Sequence, residues 1–175
     1  MGRLEAVALF LIGGAAVAVM GQSSSDMRIR SQLKQLFPSA TAFSPKESQP
    51  PHFKAYLTDS ISRRQKLEGF AFWTTDLEPL ERGYDGPIKI LVGMDTKGIL
   101  TGIIVTEHHE PYGNFSIELP QFAMQFKGKN IRDPFRVGAD IDAVSRASIS
   151  IASATRAIRN SARRMARQFP LPEAQ

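Results

Sequence analysis

The densest run of chemically useful side chains lies near the C-terminus, where Asp142 to Ser150 reads D-A-V-S-R-A-S-I-S. Ser145, Ser148 and Ser150 each bring a hydroxyl, and they stand directly before a stretch with helical apolar spacing: Ile151, Ala154, Ile158, Ala162, Met165 and Phe169. One reading is ordinary capping, in which one of these hydroxyls accepts a bond from a free N–H of the first helical turn. The other uses the same geometry for an anion. Unpaired N–H groups and the positive end of the helix dipole suit a phosphate, which a serine hydroxyl can bind or be esterified to. Spacing alone favours capping.

A second constellation is His108-His109-Glu110-Pro111. A metal reading fails on geometry, because neighbours on a strand point to opposite faces and no third ligand group accompanies them. Tyr84, flanked by Gly83 and Gly86, and Trp73 are aromatics able to stack on a planar ligand, although buried aromatics more often serve the core. Arg156, Arg159, Arg163, Arg164 and Arg167 put five positive charges on the last helix. Such a footprint can meet nucleic acid, but no aromatic readers are interleaved. A solvated or membrane-proximal face is the better reading, and no nucleic acid partner is expected.

These residues must be positioned by a modest set of elements. Strands are predicted over Phe53–Leu57, Leu67–Thr75, Ile88–Met94 and Ile99–Glu107. The last two are joined by Asp95-Thr96-Lys97-Gly98, a tight hairpin in which Gly98 takes positive φ. Ile88, Ile90, Val92 and Met94 alternate onto one face, whereas Ile103, Ile104 and Val105 make both faces apolar, as in a central strand covered on two sides. A short helix, weakened by Pro120, is predicted over Ser116–Phe126, with Phe122, Met124 and Phe126 available for packing. The last helix ends at Pro170. Upstream, Met27, Ile29, Leu33, Leu36 and Phe37 recur at helical spacing before Pro38, and the Pro/Ser-rich stretch Ser39–Pro51 reads as a connection. The fold class is α+β: a twisted antiparallel sheet packed by helices.

At 175 residues, with 42% hydrophobic and 22% charged residues, the chain can bury one core of ordinary size. It contains no cysteine, which removes disulfides, thiolate zinc sites, iron–sulfur clusters and c-type haem attachment together. Any redox chemistry needs another cofactor. The apolar run Ala6–Met20 fits a signal or anchor segment, expected to remain uncleaved because no A-x-A site precedes Gln22. The resulting organisation is 1–25 signal or anchor, 26–52 amphipathic helix and connection, and 53–175 the functional domain.

Asp142-Ala-Val-Ser145-Arg146-Ala147-Ser148 resembles the D-x-x-[ST]-G-A-[TS] signature of the FMN-binding domain family. Arg82 to Asp95 resembles the family's G-Y-x-G-x-I strand, and Gly98 to Gly113 its partner, ending in an H-E-x-P-G-type loop. The likeness covers roughly residues 35–169. Members of the family include the G subunit of Rnf complexes and the C subunit of the sodium-pumping NADH:quinone reductase, and the wording of the loop is nearest to the periplasmic N-terminal domain of NosR. The resemblance implies FMN esterified to Ser148 by a flavin transferase. It implies a cofactor-binding set of Asp142, Ser145, Arg146, Ala147, Ser150, Tyr84, Gly86, His109 and Glu110. It implies electron transfer with a membrane redox complex or periplasmic acceptor, from a domain tethered to the periplasmic side of the membrane. No catalytic residue is implied. The alternative is a sensor or assembly module that binds flavin non-covalently or not at all. Arg146 departs from the family glycine, which matters if that position needs positive φ; its guanidinium could also pair with the phosphate. Ser148 for threonine keeps the nucleophilic oxygen.

Overall fold

The computed structural model describes residues 24–169, and the predicted N-terminal segment lies outside these except for its last two residues. No helix among the described residues is long and apolar enough to cross a membrane. The elements run α1 (Ser24–Leu36), β1 (Ala42–Phe43), β2 (Glu47–Ser48), β3 (Pro51–Thr58), β4 (Gln65–Trp73), α2 (Thr74–Leu77), β5 (Lys89–Asp95), β6 (Leu100–Glu107), α3 (Pro120–Met124) and α4 (Ser148–Gln168). The strands form one antiparallel sheet in the order β1-β3-β4-β5-β6, with β2 also paired to β3. The fold is therefore α+β, as the strand and helix periodicities imply.

Each face of the sheet has its own core. On one face Phe70, Phe72, Ile90, Val92, Met94 and Ile103 pack against Ile151, Ala154, Ile158, Ala162 and Met165 of α4, all buried. On the other, Phe53, Ala55, Ala71 and Leu91 meet Leu33, Leu36 and Phe37 at the end of α1. Strands β4 and β5 thus carry apolar side chains on both faces, which is the condition of inner strands.

Three expectations change. Strand β6 reads as central but lies at the end of the sheet. Its doubly apolar character arises because both helical layers extend past the sheet centre: Ile103 and Val105 join the α4 side, while Ile104 packs on the α1 side. Strand β4 stops at Trp73 rather than Thr75 because the Thr74 side chain takes over the ladder. Its Oγ1 donates to the Ile88 carbonyl and accepts from the Ile90 amide, both at 3.1 Å, releasing the backbone into α2. The segment Ser116–Phe126 is not one helix: Gly113–Phe115 forms a 3-10 turn and α3 begins at Pro120, which occupies the first turn, where a missing N–H costs nothing. Phe122 and Phe126 are buried there, but Met124 is exposed. The β5–β6 hairpin closes as expected, with Gly98 at φ +81 and Asp95 Oδ1 accepting from the amides of Lys97 and Ile99 at 2.8 Å.

Candidate functional site

The sheet end where β4 and β6 finish and β5 begins meets the first turn of α4, and the candidate residues gather there. Beyond β4 and α2, residues 83–86 form a tight turn in which the Gly83 amide donates to the Gly86 carbonyl at 2.7 Å. Gly86 adopts φ +126, a conformation that side chains other than hydrogen rarely tolerate. The turn projects Tyr84, which is 69% exposed. Beyond β6, Glu110 turns inward. This residue, 6% exposed, accepts through its carboxylate from the amides of Tyr84 at 2.9 Å and Asp85 at 3.0 Å and from Ser150 Oγ of α4. Burial pushes the Glu110 carboxyl up, but the bonds from Ser150, Tyr84 and Asp85, with His108 nearby, outweigh it and hold the group below the ordinary carboxylate range. His108 also turns inward: Nδ1 accepts from the Glu110 amide at 3.1 Å while Nε2 donates to Glu118 Oε1 at 2.7 Å.

Helix α4 starts without a side-chain cap. Ala147 occupies the N-cap position and no serine hydroxyl bonds back to the first turn. Backbone pairing begins with the Ile151 amide donating to the Ala147 carbonyl at 2.9 Å, so the amides of Ser148, Ile149 and Ser150 have no acceptor among the described residues. The capping reading of the serine cluster is therefore not realised, because Ser150 turns to Glu110 and Ser148 faces outward. Arg146 stands at φ +68, in the left-handed region. The turn into α4 needs that conformation, and arginine adopts it at a cost of about 1–2 kcal/mol.

In front of the open helix end lies a cleft of about 430 Å³ walled by Tyr84, Pro111, Tyr112, Arg146, Ala147, Ser148, Ile149 and Ser150. The volume falls in the range of small-molecule sites, about 300–1,000 Å³. Of the residues singled out in the sequence, Ser148, Arg146, Ala147, Ser150 and Tyr84 share this cleft, and Glu110 braces it from behind. Asp142, Ser145, Gly86 and His109 do not line it. Asp142 is exposed, and its amide donates to Gln125 Oε1 at 2.6 Å. Ser145 is exposed, His109 stands outside the cleft wall, and Gly86 shapes the turn. Trp73 packs edge-on against Phe53 beside the core on the α1 side, away from the cleft. Pro111 belongs to the loop that the sequence singled out, whereas Tyr112 and Ile149 are cleft residues that sequence reasoning missed; adjacency to that loop was the signal that could have found Tyr112.

Residues 83–163 match the family model of the FMN-binding domain. All of the cleft wall lies within that segment. A stretch of 52 residues, 28% of this chain, is 42% identical to the G subunit of the ion-translocating oxidoreductase complex of Escherichia coli O157:H7 and to that of Escherichia coli K12. The match spans 25% of the length of these curated relatives. The residues present fit FMN: unpaired amides and the Arg146 guanidinium suit its phosphate, and the tyrosine rings suit its planar ring system.

The arginines of α4 are largely engaged away from the cleft. Arg156 pairs with Glu81 at 2.7 Å, Arg164 with Glu78 at 3.0 Å, and Arg163 donates to the carbonyls of Ile131 and Asp133 at 2.8 Å. They tie the helix to its neighbouring loops.

Proposed function

We propose that this chain is an electron-transfer flavoprotein domain that carries FMN in the α4 cleft, esterified to Ser148, on the periplasmic side of a membrane to which residues 1–25 tether it. The observation that supports this reading most is the uncapped start of α4, which turns free amides, an exposed Ser148 and Arg146 onto an aromatic-walled cleft. FMN supplies reversible one- and two-electron chemistry when bound. The chain supplies position and charge. The amides of Ser148 to Ser150 and the Arg146 guanidinium would hold the phosphate and Tyr84 and Tyr112 the ring, with the buried Glu110 anion behind the cleft wall. In maturation, Ser148 Oγ bonds to the flavin-side phosphorus of a flavin dinucleotide held by a flavin transferase. The phosphoanhydride breaks, a nucleoside monophosphate leaves and the serine proton passes to base, with no change of oxidation state. The electron partner is a membrane redox complex or a periplasmic acceptor, in keeping with the likeness to a component of an ion-translocating oxidoreductase complex.

The experiment is co-expression of the full chain with a flavin transferase followed by peptide mass spectrometry. One FMN adduct is expected on the peptide containing Ser148, and Ser148→Ala should abolish it. An adduct that survives in Ser148→Ala moves the site. Its absence from the wild type beside an active transferase replaces the covalent carrier by a non-covalent flavin module.

A further inference from the structure

Glu110 is the most heavily bonded side chain near the cleft, yet it does not line it. A buried carboxylate must be satisfied by donors, and here every donor belongs to a part of the site. Two are the amides of Tyr84 and Asp85 in the projecting turn, and the third is Ser150 Oγ in the first turn of α4. The fit is close: a Cβ on Gly83 would come within 2.6 Å of Glu110 Cδ, and a Cβ on Gly113 within 2.9 Å of the His108 ring nitrogen that accepts from the Glu110 amide. Only glycine at both places leaves room for the pair.

We propose that Glu110 is the positioning residue of the cleft: by gripping Ser150 with one oxygen and the Tyr84–Asp85 amides with the carboxylate as a whole, it sets the rotation of the first turn of α4 and so aims Ser148 at the ring wall. The helical geometry carries the step. Ser150 is 4% exposed because it is drawn inward, and its neighbour Ile149 is 54% exposed, so Ser148 and Ile149 are presented to the cleft while Ser150 anchors them. The Glu110 carboxylate bonds to Tyr84, Asp85 and Ser150 rather than to Ser148 and is not part of the cleft wall, which makes its role distinct from that of a base or a flavin contact. The inference rests on the reading that Ser148 receives FMN.

The test has two arms, both on the full chain. In the unloaded protein, amide hydrogen exchange at Tyr84 and Asp85 should be slow in the wild type and about tenfold or more faster in Glu110→Gln, where the amide group can no longer accept from both donors. In Ser150→Ala these two amides should stay protected, since only the helix arm is cut. In the transferase reaction, initial rates should split: kcat for FMN transfer falls about tenfold in Glu110→Gln and in Ser150→Ala, while KM for the domain stays within about twofold. The adduct remains on Ser148 in both variants. Wild-type kcat in Ser150→Ala, or a fall confined to KM, overturns the positioning role even if Glu110→Gln fails to fold. Unchanged exchange in Glu110→Gln overturns it as well. If the wild type takes no FMN, the Ser148 reading has failed, and the exchange arm alone then decides whether Glu110 organises the cleft.

Discussion

Arg146 combines a left-handed backbone with a guanidinium on the cleft wall, and two substitutions separate the effects of these two features. Its backbone stands at φ +68, where an L-residue costs about 1–2 kcal/mol relative to the right-handed region. Glycine removes that cost but loosens the unfolded chain by about 0.4–1 kcal/mol, so Arg146→Gly should be stabilised by about 0.5–1 kcal/mol in net terms. Arg146→Ala keeps the Cβ and the strain, and at an exposed position it should stay within about 0.5 kcal/mol of the wild type. Both variants delete the guanidinium from the cleft wall. A charge-assisted contact to phosphate is worth about 1.5–3 kcal/mol when well formed, and solvent reduces it here to about 1–1.5 kcal/mol. Both should therefore bind free FMN about fivefold to tenfold more weakly at low salt, with the difference shrinking in about 0.5 M salt. Urea denaturation gives the stability term and quenching of FMN fluorescence gives the affinity. If Arg146→Gly is less stable than Arg146→Ala, the left-handed turn is not what restricts this position. If both variants bind FMN as tightly as the wild type at low salt, the arginine is no phosphate ligand.

The other expectations concern the brace behind the cleft, acid stability and topology. Gly83→Ala would place a Cβ 2.6 Å from Glu110 Cδ, so it should cost about 1–3 kcal/mol, read as a lower thermal midpoint, with loss of protection at the Tyr84 and Asp85 amides; an unchanged midpoint contradicts the close fit. The folded Glu110 carboxyl is held below the ordinary value, so its stabilisation is complete above about pH 4.3 and is lost as pH falls through the folded value. Glu110→Gln should flatten the acid limb of the stability curve by up to about 1.4 kcal/mol per pH unit, and an identical slope refutes the assignment. Alkaline phosphatase fused after Gln175 should be active in bacteria; an inactive fusion beside an active cytoplasmic reporter at the same site rejects the periplasmic placement.

Much of this molecule is written locally. The periodicity of Ile151, Ala154, Ile158, Ala162 and Met165 names the buried stripe of α4, and the Asp95–Gly98 turn dictates the β5–β6 hairpin, since each depends only on residues close in the chain. The motif around Ser148 likewise marks where the cleft lies. Strand order and the end of β4 were not legible. An apolar strand reads alike at the centre or the edge when helices cover both faces, and Thr74 ends β4 through partners at Ile88 and Ile90, well along the chain. The fate of the serines also awaited the tertiary structure. Their spacing is that of a cap, but Ser150 is 40 residues from Glu110, and only folding could set that buried carboxylate where it competes for the hydroxyl and leaves the helix end open. The same holds for Arg146: the sequence shows an arginine where the signature it resembles has glycine, whereas the left-handed turn that makes this consequential is imposed by the junction of the loop with α4.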